Sequence, residues 1–88
     1  VPHNQIIIRE KFAELMGNAT EGSVYVLSCR AETLNTLIDN SDINTANACH
    51  EKLHEIQDWL VGDEVYEKES PGETIERFTE EADEIISA

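Results

Sequence analysis

Between Ser41 and Gly62 the apolar residues Ala46, Cys49, Leu53, Ile56 and Leu60 recur at steps of three and four, one stripe of an α-helix. Ser41 suits the start of that helix, since its hydroxyl can accept from an N–H of the first turn. Gly62 suits its end, because glycine enters the left-handed conformation without strain. A second stripe, Val24, Leu27, Ala31, Leu34 and Ile38, predicts a helix from Ser23 to Asn40. Val26 and Cys29 then fall on its opposite side, so this helix is expected to pack on two neighbours at once. The β-favouring run Val24-Tyr25-Val26 offers an alternative, a short strand over 23–29 paired with 64–67 in an α+β fold. One long helix is preferred, because that strand would have a single candidate partner.

Near the start of the chain Ile8, Phe12 and Leu15 share a helical face with Met16 at its edge, which predicts a helix from Asn4 to Gly17. Near the end, Ser70-Pro71-Gly72-Glu73 opens the last helix. Serine followed three residues on by glutamate is a capping box, and proline suits the first helical position. The inner face of this helix is Ile75, Phe78, Ala82, Ile85 and Ile86. Asp39 to Asp42 forms a polar turn short enough to fold the second helix back on the third. Val65 and Tyr66, in the connector after Gly62, are expected to tuck onto the core. The predicted fold is all-α, a single domain with three to four helices in an antiparallel bundle. At 88 residues the chain buries a modest core, so a partner or a second copy in a homodimer would add burial.

Charge changes this picture most. Nineteen acids face six Lys and Arg, for a net charge of −13. Residues 62–88 alone carry ten acids against Lys68 and Arg77. Such a chain repels nucleic acid and anionic lipid, which leaves a basic protein surface as the expected partner. In the alternative, a structural bundle, acidity serves only solubility. No apolar run is long enough to cross a bilayer and the first residues lack a signal-peptide pattern, so a cytoplasmic location is expected. Cys29 and Cys49 are too few for a disulfide framework and are expected as two free, partly buried thiols, with a single bridge between them as the alternative.

One short pattern bears on catalysis. His50-Glu51-Lys52-Leu53-His54 reads H-E-x-x-H, which sets two imidazoles one helical turn apart where both can bind a Zn²⁺. These five residues resemble the zinc-metallopeptidase motif. The resemblance implies zinc on His50 and His54, with Glu51 taking a proton from metal-bound water. Beyond the five residues the chain departs from the family. Gln57 stands where the longer motif has glycine, Leu60 stands where it has a third histidine, and a distant acidic ligand would have to be Glu73 or Glu76. The preferred reading is no cofactor and no catalytic residue, with His50 and His54 at the border of a packed face near Ile43 and Val61. A zinc site is the alternative.

Other chemistry is excluded more directly. Cys49 and His50 are adjacent and point about 100° apart on a helix, so they do not form a nucleophile pair. Pro2 removes a backbone amide that a copper site built on His3 would need. Ser41 is followed by Asp42 and Ile43, so the Asp-Ser-Leu attachment triplet of acyl carriers is missing.

The last helix carries the other unusual pattern. Glu73, Glu76, Glu80 and Glu84 follow three- and four-residue steps, with Glu81 and Asp83 close by. Like charges at that spacing repel by about 0.2–0.5 kcal/mol per pair, and acids in a last turn oppose the helix dipole. Glu73 with Arg77 is expected to be the one favourable i,i+4 pair. Carboxylates one turn apart roughly match phosphate spacing along DNA. The expectation is a non-enzymatic interaction protein, an inhibitor, an immunity protein or a nucleic-acid mimic, that binds its partner through Glu73, Glu76, Glu80, Asp83 and Glu84.

Overall fold

The computed structural model describes residues 21–64 and 66–88. They form three helices: α1 (Glu21–Asn40), α2 (Ile43–Leu60) and α3 (Pro71–Ser87). The fold is all-α. No strand occurs among the described residues, and 23–29 lies inside α1 rather than in a hairpin. The helix expected over Asn4 to Gly17 lies outside the described residues, as does Val65.

The helix ends follow from local chemistry. Asp42, not Ser41, caps α2. Its Oδ1 accepts from the Thr45 N–H at 3.0 Å, and its Oδ2 accepts from the Thr45 hydroxyl at 3.1 Å. A carboxylate supplies both acceptors at once and complements the positive end of the helix dipole, which displaces the start by one residue from the serine. Thr45 holds the Asp42 carboxyl below its usual range through the same contacts. At the other end, Val61 and Gly62 donate their N–H groups to Gln57 and Trp59. Gly62 has φ +88°, the left-handed conformation expected of it. The Ser70 capping box of α3 is complete: Ser70 Oγ accepts from the Glu73 N–H at 3.2 Å, and Glu73 Oε1 accepts from the Ser70 N–H at 3.1 Å.

The three apolar stripes meet in one core. Leu27, Ala31 and Leu34 of α1 pack with Cys49, Leu53, Ile56 and Leu60 of α2 and with Ile75, Phe78 and Ala82 of α3. Val24, Ile38, Ile85 and Ile86 are half-buried around it, and Ala46 is half-buried at its side of α2. Among the described residues α1 touches both other helices, with Leu27, Ala31 and Leu34 in the shared core. Outside that core Tyr25 is 67% exposed and Val26 38% exposed. Of the expected second side, Val26 is thus exposed and Cys29 is half-buried.

The cap assignments yield a direct test. Ser70→Ala removes a side-chain acceptor from the start of α3 and is expected to cost about 1 kcal/mol. In a domain this small that lowers the melting temperature by about 4–8 °C. Asp42→Ala is expected to lower it as well, whereas Ser41→Ala leaves it unchanged. Thermal unfolding followed by circular dichroism distinguishes the three.

Candidate functional site

Helix α3 carries acids on two sides, and the two sides have different surroundings. On one, Glu81 lies within reach of cations from two elements. Its Oε1 accepts from Lys52 Nζ of α2 at 2.8 Å and from Arg77 Nη1, one turn earlier on α3, at 3.1 Å. Lys52 also donates to Glu55 Oε2 at 2.7 Å, an i,i+3 pair along α2. The connector joins this cluster through Tyr66, whose hydroxyl donates to Glu55 Oε1 at 2.8 Å. It joins again through Glu69, which takes Arg77 Nε at 2.9 Å and Nη2 at 3.0 Å. Two parallel contacts from one guanidinium to one carboxylate make a fork that lysine could not form.

Apolar groups floor the cluster. The Arg77 guanidinium lies 4.4 Å from the Tyr66 ring centre and 4.9 Å from that of Phe78, and Lys52 Nζ lies 5.5 Å from Phe78. The Lys52 side chain is only 13% exposed, so its two carboxylates act with little screening by water. Burial alone would lower the Lys52 pKa, but hydrogen bonds to Glu55 and Glu81 outweigh it and hold the ammonium above its ordinary value. Burial likewise opposes ionisation of Glu55, yet bonds from Lys52 and Tyr66 bring its carboxyl below the usual range. Burial and the hydrogen bond to Glu55 push the Tyr66 phenol up, and the Arg77 contact lowers Glu69.

These contacts revise one pairing. Arg77 does not bond Glu73. That carboxylate is occupied by the backbone of Ser70, and Arg77 turns instead to Glu69 and Glu81. Asp83, expected at the binding surface, is half-buried and accepts from Arg30 Nε, which ties α1 to α3. The remaining three acids, Glu76, Glu80 and Glu84, are exposed and form no ion pair among the described residues. They follow one another along α3 at intervals of about 6 Å, one turn each. Glu76 and Glu80 also border a groove of about 440 Å³ between α3 and the start of α1.

The histidines sit elsewhere. His50 and His54 are exposed on α2, with ring centres 5.0 Å apart and planes at 88°. They stand on its outer surface rather than at the border of a packed face, since the nearby Ile43 and Val61 are 71% and 54% exposed. Among the described residues no three or more His, Cys, Asp or Glu converge in a metal-binding group. Cys49 is a buried free thiol whose pKa burial pushes up, and Cys29 is a half-buried one. No helix among the described residues is long and apolar enough to cross a membrane. Comparison with protein-family models, with curated protein sequences and with solved structures gives no match to this chain.

The cluster around Arg77 is the part that spacing reveals only in pieces. Arg77 with Glu81 and Lys52 with Glu55 stand at helical i,i+4 and i,i+3 spacing, whereas Lys52 with Glu81 joins residues 29 positions apart.

A pH dependence follows from Glu55. Its folded-state pKa lies below its ordinary value of 4.5, so its stabilising contribution is present above about pH 4.5 and fades as pH falls through the folded value. The melting-temperature difference between the parent and Glu55→Gln is therefore expected to be widest above pH 5 and to close toward pH 3. Comparing the variant with the parent at each pH cancels the relief of repulsion that acid brings to the rest of the chain.

Proposed function

We propose that this protein is a non-enzymatic interaction module that docks on a basic surface of another protein through the row Glu76, Glu80 and Glu84. The observation supporting this reading is the uneven use of cations. Arg30, Lys52 and Arg77 are engaged by Asp83, Glu55, Glu69 and Glu81, while the row stands exposed with no ion pair among the described residues. Three adjacent like charges on one helix face cost stability and gain no ion pair in return among the described residues. Their field, acting over a Debye length of about 8 Å at physiological salt, would attract a cluster of Lys and Arg. Such a field acts mainly on the rate of encounter. An inhibitor, an immunity protein and a nucleic-acid mimic would all use a surface of this kind on a basic target.

The test begins with capture of binding proteins from source lysate at low salt and their release at high salt. With a partner in hand, replacement of Glu76, Glu80 and Glu84 by Gln removes three charges at nearly constant helix propensity. Association at low salt is expected to slow about tenfold and its salt dependence to flatten, while thermal stability holds or rises. An association rate equal to that of the parent would leave solubility as the sole role of the acidic row.

A further inference from the structure

The row borders a surface of a different chemical kind. Between the first turns of α1 and the middle of α3 runs an open groove of about 440 Å³, with mostly apolar walls. Val26 and Gly22 line it from α1, and Ile75 and Thr79 from α3, with Glu76 and Glu80 along one edge. Val26 is 38% exposed there, and Tyr25 beside it is 67% exposed. Ile75 is buried beneath and belongs to the core, which gives the groove a packed floor.

We propose that this groove seats an apolar side chain of a basic amphipathic helix on the partner, with Lys or Arg one turn apart on that helix meeting Glu76 and Glu80. The proposal rests on the reading of the acidic row as a docking face and adds the partner's chemistry to it. Two features on the same face argue for this occupant. Charge complementarity is one: the rim carboxylates have no cation among the described residues, so an acidic or neutral helix would leave them unanswered, whereas a basic one pairs with them. Spacing is the other. Glu76 and Glu80 are one turn apart, about 6 Å along the axis, and a helix laid along α3 presents its own i and i+4 side chains at the same interval. The volume falls within the range of about 300–1,000 Å³ typical of small-ligand pockets, enough for an aliphatic or aromatic anchor. Apolar anchors in a groove with charged flanks are the usual means by which a surface recognises a helix.

The probe is a pair of synthetic fourteen-residue helical peptides of equal charge, one of Leu and Lys in amphipathic order and one with Ser in place of Leu, read by fluorescence anisotropy at low salt. The Leu/Lys peptide is expected to bind the full chain about tenfold more tightly than the Ser/Lys peptide. Val26→Gln is expected to remove most of that difference and leave the Ser/Lys affinity unchanged. The double variant Glu76→Gln, Glu80→Gln is expected to weaken both peptides together. Equal affinity for the two peptides, both weakened by the double Gln variant, would overturn the groove and leave the docking row standing. Loss of charge that affects neither peptide would overturn both. A third result would also overturn the groove proposal: Val26→Gln destabilises the isolated protein or breaks a dimer seen by sedimentation and leaves peptide affinity untouched. The groove would then be filled by the chain itself or by a second copy.

Discussion

Phe78 is the residue on which the rest of the arrangement depends. It is fully buried on α3, and the rings of Trp59 from α2 and Tyr66 from the connector stand edge-on to it at 5.6 and 6.0 Å. Edge-to-face geometry sets the positive rim of one ring against the negative face of another, worth about 0.5–1.5 kcal/mol per pair beyond the area buried. Lys52 and Arg77 lie over the same ring. Such positions hold cations partly out of water, where they need carboxylates close by. Glu55, Glu69 and Glu81 answer that need. The aromatic centre therefore fixes where the cations sit, and the cations decide which acids are consumed.

The consequence for α3 is a division between two sides. Glu81 is drawn into the cluster around Phe78, and Asp83 is drawn to Arg30, which binds α3 to α1. Glu76, Glu80 and Glu84 stand exposed, with no ion pair among the described residues. In a chain with only six Lys and Arg against nineteen acids, Arg30, Lys52 and Arg77 hold the helices and the connector together.

Local periodicity in the sequence was enough to read the core. The stripes through Leu27, Leu34, Cys49, Leu53, Ile56, Ile75, Phe78 and Ala82 all point inward, because a helix repeats every 3.6 residues wherever it packs. The capping box at Ser70 was legible for the same reason, being defined within four residues. Choices between neighbours were harder. Ser41 and Asp42 are both good caps, and the carboxylate prevails because Thr45 donates to it twice. Glu73 and Arg77 have the spacing of an ion pair, but the Ser70 backbone and the Glu69 fork supply better partners. Contacts such as Arg30 with Asp83, 53 residues apart, depend on how whole helices meet, and no spacing rule reaches them. The exposed positions of His50 and His54 likewise follow from which side of α2 faces the bundle.

Internal ion pairs and the Ser70 cap engage Glu73, Glu81 and Asp83, which leaves Glu76, Glu80 and Glu84 as the carboxylates of α3 open to an outside cation among the described residues. Titration of isotopically labelled protein with tetralysine, followed through backbone amide and side-chain carboxyl shifts, tests it most directly. The largest changes are expected on Glu76, Glu80 and Glu84, with Glu55, Glu69 and Glu81 little moved. Changes centred on Glu55, Glu69 and Glu81, or spread evenly over every acid of the chain, would contradict it.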